Sequence, residues 1–293
     1  MTRLEWESRP EGLRNPALVF AFTGWNDAGD AASSALRVVG ESLGARRVAA
    51  VDPEEMFDFQ AVRPTIDLSE SGDGHIVWPE IELLEARAPG APRDLVLVAG
   101  TEPSYRWRTL TELLLGAARE LGVTRVVGLG ALLAETPHTR PVALTGVAAP
   151  PTLVAGMGFR TPTYRGPTGI VGVLHAAAAA AGHETASLWA PVPHYLAGTP
   201  NPRAALALVR ALEGVTEVAI DAGSLEDAAA RHERQVNAAV ARDPAAQALV
   251  ERLEQAADEE EEPPLDPNRI PSADALASEF ERFLRQRGND GET

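Results

Sequence analysis

Leu18-Val-Phe-Ala-Phe22 is an unbroken apolar run of strand-forming side chains, with no polar residue to face water. It therefore reads as a strand buried on both sides. Thr23-Gly-Trp-Asn-Asp-Ala-Gly29 supplies a turn, and Asp30-Ala-Ala-Ser-Ser-Ala-Leu-Arg-Val-Val39 continues with helical spacing. A strand covered on both faces and followed by a helix belongs in a parallel sheet. Its loop then lies at the carboxyl end of the strand, where open α/β sheets keep their ligand or partner chemistry.

The alternation recurs down the chain. Arg46–Val51, Ile81–Arg87, Asp94–Gly100, Arg125–Gly130, Val142–Val147 and Glu184–Ala190 read as strands, the last broken by Pro191 and Pro193. Ser71-Gly-Asp-Gly74 is a hairpin-type turn signal, and Glu54–Gln60 an acidic, aromatic turn or ordered loop. Between the strands lie helical stretches. Tyr105–Leu121 carries a stripe of Leu110, Leu113, Leu114 and Ala117 and is expected to be capped by Ser104. Ile170–Ala181 is rich in small residues, and Pro202–Leu212 follows a capping Asn201 with proline at its first position.

The expected fold is α/β: a mostly parallel central sheet flanked by helices over residues 1–223. Residues 224–257 read as a helical segment packed on that core, and residues 258–271 as an acidic, proline-rich linker. In residues 272–293, Ser272 precedes an amphipathic helix that places Leu276, Phe280, Phe283 and Leu284 on one side.

Composition narrows the chemistry. With 293 residues and 45% hydrophobic content the chain can bury a large core, and no apolar run reaches the ~20 residues of a membrane span. The first ten residues lack the apolar centre of a signal peptide, so a cytoplasmic protein is expected. A net charge of −16 argues against nucleic acid or anionic membrane as partner. There is no cysteine, and all 26 basic side chains are arginine. Thiolate metal sites, cysteine nucleophiles, a P-loop lysine and Schiff-base chemistry are thereby excluded. Gly128-Leu-Gly130 lacks the third glycine of a dinucleotide loop, and neither a G-x-S-x-G elbow nor an H-E-x-x-H pair occurs. No cofactor or metal is expected. Asp27 and Asp30 together are a weak cation signal, and capping of the following helix is the plainer role for them.

What remains is a set of polar loops after apolar strands. They bring forward Trp25, Asn26, Asp27, Glu102, Trp107, Glu135, His138, Arg140, Tyr164, His194 and Tyr195 as candidate cleft residues. If their strands run parallel, the first three loops gather on one edge. Glu102 or Asp27 could then act as acid or base, His138 as proton shuttle and Arg140 as an anion clamp. The structural alternatives are a strand end at Glu102-Pro103, a loop-bracing His138, an Arg140–Glu135 pair, and tryptophans that anchor packing.

Gly24-Trp-Asn-Asp-Ala-Gly29, Gly100-Thr-Glu-Pro103 with Trp107, Pro137-His-Thr-Arg-Pro141, Tyr164-Arg-Gly-Pro-Thr-Gly169 and Pro193-His-Tyr195 resemble the bacterial branch of the proteasome assembly chaperone family. The resemblance runs from about Leu4 through the last helical stretch. It implies a sandwich similar to nucleoside phosphorylases and related hydrolases, and homo-oligomerisation, to a trimer or higher order. It also implies a protein partner such as a proteasome core, and it brings no accepted catalytic residues. Some relatives dock through a C-terminal hydrophobic-tyrosine-any tripeptide; this sequence closes Asn289-Asp-Gly-Glu-Thr293, which does not match it. The leading expectation is a non-catalytic oligomeric assembly or binding protein. The alternative is a nucleoside- or phosphate-type binder, or a hydrolase- or phosphorylase-like enzyme, using the strand-end cleft.

Overall fold

The computed structural model describes residues 3–68, 74–162 and 164–261. Its strands are β1 (Leu4–Trp6), β2 (Ala17–Thr23), β3 (Arg46–Val51), β4 (Thr65–Leu68), β5 (Gly74–Val77), β6 (Ile81–Ala86), β7 (Leu95–Thr101), β8 (Arg125–Ala134), β9 (Thr145–Ala149) and β10 (Glu184–Pro193). Its helices are α1 (Ala31–Ser42), α2 (Trp107–Glu120), α3 (Ile170–Ala180), α4 (Pro202–Thr216), α5 (Gly223–Val240) and α6 (Pro244–Glu261).

Eight strands form one sheet in the order β1-β3-β6-β7-β2-β8-β10-β9, and β4 and β5 form a separate ribbon. The centre is parallel: β2 pairs with β7 and β8, and β8 with β10. β6 and β9 run antiparallel to their neighbours, so both flanks of the sheet reverse direction. β2 lies in the middle, and from Ala17 to Phe22 every residue is buried. Its alternating side chains feed two cores. Ala17, Val19 and Ala21 pack with α1 and α4, while Leu18, Phe20 and Phe22 pack with α2 and α3. This is why the run at residues 18–22 carries no polar side chain.

At the amino edge of the sheet Arg125 is buried where β8 begins. Its Nε and Nη2 donate to Glu184 at 3.0 and 2.8 Å, and Nη1 donates to the Val215 carbonyl in the last turn of α4. Beside it, Asp94 accepts from Arg14 and from the Ala88 amide, and ties the start of β7 to two loops.

Several boundaries differ from expectation. β10 runs through Pro191 and Pro193 because β9 pairs with it only as far as Trp189. Beyond that point β10 is an edge, and two prolines spaced two apart leave their missing N–H on the unpaired side. Ser104 does not cap α2. Its hydroxyl accepts from the Asp58 amide, and Arg106 occupies the capping position in a left-handed conformation. The strand expected at Val142–Val147 runs instead from Thr145 to Ala149 as β9, and the short β1 carried too little pattern to be read. Residues 258–261, expected as linker, form the last turn of α6. The Ser71–Gly74 turn, apart from Gly74, and the Ser272 helix lie outside the described residues.

Candidate functional site

β2, β7, β8 and β10 share one direction, so the loops after them meet on one rim. Glu102 follows β7 directly, its amide donating to the Thr23 carbonyl at 2.9 Å. Its Oε1 accepts from Asn26 Nδ2 at 2.8 Å and from the Ile170 amide at 2.9 Å. The carboxylate thus sits on the first free N–H of α3, where helix polarity favours a negative charge. Asn26 is 1% exposed, and its Oδ1 has no hydrogen-bond partner among the described residues. Gly169 packs against this pair: a Cβ there would lie 2.1 Å from Asn26 Nδ2 and 2.6 Å from Glu102 Oε1. Only glycine lets the Tyr164–Gly169 loop approach so closely.

Asp27 turns the other way. Its Oδ1 accepts from the Ala32 and Ser33 amides at 2.7 and 3.1 Å, and Oδ2 takes the Ser33 hydroxyl at 2.5 Å. These are the orphan donors at the start of α1, so Asp27 is a helix cap reached from four residues upstream of the helix. Burial pushes its carboxyl above the ordinary 3.8, against the hydrogen bonds from Ser33 and Ala32. Asp27→Ala should cost about 2 kcal/mol of unfolding free energy in urea titration, at the upper end for a lost cap, because the freed amides are buried.

His138 and Arg140 belong to a second cluster. The His138 amide donates to the Tyr195 hydroxyl at 2.8 Å, and that hydroxyl lies 2.7 Å from Nδ1. Burial holds the Tyr195 phenol above its ordinary 10.0, so it keeps its proton and can donate it to Nδ1. Nε2–H is then the donor to Asn237 Oδ1 at 2.9 Å. Arg203 of α4 donates to the His138 and Arg140 carbonyls. Arg140 pairs with Asp258 at 2.7 Å and with Glu254 at 3.4 Å, both on α6, rather than with Glu135. Thr139 also bonds Glu254.

The expected single cleft is therefore two clusters on a common rim. Asn26 and Glu102 are joined, His138 and Tyr195 are joined, and no hydrogen bond or ion pair among the described residues runs between these pairs. Trp107 is half-buried and donates to the Pro103 carbonyl at 2.6 Å, bracing the turn into α2. Glu135 and His194 are exposed, the latter 3.4 Å from the Ala134 carbonyl. Trp25 and Tyr164 project outward at 63% and 67% exposure, and Leu132 and Leu133, on opposite faces of the end of β8, are exposed at 45% and 49%. Arg203, Asn237 and His232 were not among the expected residues. They come from α4 and α5, far along the chain, and no local motif marks them.

A cavity of about 20 Å³ lies among Pro137, His138, Arg140, Asn201, Arg203 and His232, which is space for about one water. A roomier groove of about 400 Å³ lies elsewhere, between α4 and the segments at residues 142–144 and 157–159. Burial, then the nearby Arg203 and His138, lowers the His232 pKa from its ordinary 6.5. Among the described residues no group of three or more metal-ligating side chains converges, and no helix is long and apolar enough to cross a membrane.

Comparison with known proteins gives the family. The model of the PAC2 family matches residues 21–240. A crystal structure of a PAC2 family protein from Streptomyces avermitilis is 48% identical, covers 76% of this chain and 94% of its own, and superposes with a TM-score of 0.71. The Mycobacterium tuberculosis proteasome-assembly chaperone homologue Rv2125 is 40% identical over 80% of this chain and 99% of its own, TM-score 0.73. A second M. tuberculosis protein, Rv2714, described as of unknown function, is 28% identical over 87% and 91%, TM-score 0.78. A search of curated proteins finds no match. With the family model spanning most of the sheet and the helices around it, the chain belongs to the PAC2 family.

Proposed function

We propose that this protein is a non-catalytic assembly or docking protein, acting as a homo-oligomer on a protein complex, with a proteasome core as the partner class. One observation carries the reading: at the rim Glu102, Asp27, His138 and Arg140 are consumed internally while large apolar side chains face solvent. Glu102 holds the start of α3, Asp27 holds the start of α1, and His138 and Arg140 hold α5 and α6. Trp25, Leu132, Leu133 and Tyr164 are left outward. Apolar surface rimmed by polar residues marks a protein interaction site, whereas catalysis needs free polar groups and room for substrate. The 40% identical relative described as a proteasome-assembly chaperone homologue supports the choice of partner. A cytoplasmic location goes with this reading.

Purified proteasome core, or its separated subunits, should retain the chain in stoichiometric amount, and Leu132→Asp with Leu133→Asp should abolish retention. Sedimentation should give a mass that is a multiple of 31.0 kDa. A monomer at micromolar concentration that ignores the core would overturn the proposal, as would turnover of, or a thermal shift with, a member of a nucleoside and phosphate panel.

A further inference from the structure

Ala207, Arg210 and Ala211 recur at helical spacing, so they share one face of α4. That face is the floor of the groove of about 400 Å³, and Val142, Leu144, Met157 and Phe159 wall it. Glycine makes room for the two largest wall residues. A Cβ on Gly214, one turn further along the same face, would lie 2.5 Å from Met157 Cε. One on Gly146 of β9 would lie 2.6 Å from the Phe159 ring. Gly156 and Gly158, left-handed at φ of 79° and 70°, turn the chain on either side of Met157. At Arg160 the segment is tied back to β9. Its amide donates to the Leu144 carbonyl at 2.9 Å, and its carbonyl accepts from the Gly146 amide at 3.1 Å. One wall of the hollow is thereby a methionine, a side chain that adapts to irregular apolar shapes.

Arg210 is the one polar side chain among the described lining residues. Its Nη1 donates to Glu213 at 2.8 Å and its Nη2 to Glu226. Three of its five N–H groups have no partner among the described residues. Glu213 is held elsewhere too, because its Oε1 accepts from the Ile220 amide at 2.8 Å. Glu226, on α5, is half exposed and meets Arg210 through one oxygen.

We propose that this groove binds a medium-chain alkyl carboxylate, its chain on Ala207, Ala211, Leu144 and Phe159 and its carboxylate on Arg210. The volume lies within the roughly 300–1,000 Å³ of small-molecule sites. Apolar walls would leave the polar groups of a sugar or nucleoside unpaired, at a cost an alkyl chain does not meet. The single guanidinium at the mouth suits the single charge of such a molecule. To reach it the ligand displaces the exposed Glu226, and Glu213 stays in place. The groove shares no residue with either rim cluster, so this site stands apart from the docking role.

The sequence has three methionines, which makes a site-specific test possible. Met157 lines the groove, whereas Met56 is fully buried in the core on the other side of the sheet. In full-length protein carrying isotope-labelled methionine methyls, decanoate should shift the Met157 resonance saturably and leave that of Met56 in place. Octanoate, two methylenes shorter, should bind about tenfold more weakly. Ala207→Leu, which fills the hollow, should abolish the shift. Arg210→Gln should weaken decanoate about tenfold, to the level of uncharged decanol. Glu226→Gln, which removes the competing carboxylate, should tighten decanoate several-fold. A Met157 resonance that stays put, or Met56 and Met157 resonances that drift together without saturation, would overturn the inference. So would decanol binding as tightly as decanoate, or undiminished decanoate binding by Arg210→Gln. The docking role is tested at Leu132 and Leu133, so either reading can fail while the other stands.

Discussion

Gly100→Ala should cost roughly 3 kcal/mol or more, enough to unfold much of the protein at 25 °C if its stability is ordinary for a domain. Gly100 lies in β7 between Phe22 of β2 and Ile81 of β6. A Cβ there would fall 2.2 Å from the Glu80 carbonyl oxygen and 2.8 Å from Ile81 Cα. Both are backbone atoms, so no side-chain rotation relieves the clash, and β6 must move away from β7. Its φ of 157° adds strain for any side chain. Gly122→Ala is the control: φ is 69° but nothing lies within 4 Å of the point a Cβ would occupy, so only the conformational cost of about 1 kcal/mol applies. Urea midpoints for the two variants should differ accordingly. A small effect at Gly100 would mean that β6 is not seated where the sheet register puts it.

Asp94→Asn should cost about 2.5 kcal/mol at neutral pH, and the deficit should vanish in acid. Burial alone would raise this carboxyl. The Arg14 guanidinium and the Ala88 and Arg14 amides outweigh burial and hold it at about 2, against an ordinary 3.8. A carboxylate with a depressed folded pKa contributes stability that is complete above its unfolded pKa and lost as pH falls through the folded one. Unfolding free energies of the two proteins, measured from pH 6 to pH 2, should therefore converge between about pH 4 and pH 2. The other carboxylates cancel in the difference. A constant gap across that range would mean that the poorer fit of the substituted amide, rather than lost charge, sets the cost.

Elements set by contiguous residues were legible before any coordinates. Leu18–Phe22, and the run Leu95–Gly100 that follows Asp94, read as strands because double burial removes every polar residue from a short run. Asn201 read as a cap, and its Oδ1 does accept from the Ala204 amide at 3.0 Å. Features decided by distant neighbours were not legible. Whether Pro191 ends a strand depends on how far β9 reaches along it, and whether Ser104 caps depends on where Asp58 lies. The site shows the same limit. Asn26 and Glu102 meet because β2 and β7 are adjacent, which the alternation implies. His138 turns instead to Asn237, and Arg140 to Glu254 and Asp258, through helices whose placement no local pattern encodes.

Arg125 marks the limit of a habit that runs through the whole sequence. Exposed arginines such as Arg37 and Arg46 meet single carboxylates and would accept an ammonium group with little change. Arg125 instead spreads one planar group over a carboxylate and a helix-end carbonyl in different elements. Arginine-to-lysine replacement should therefore be silent at the surface positions and stop being so here.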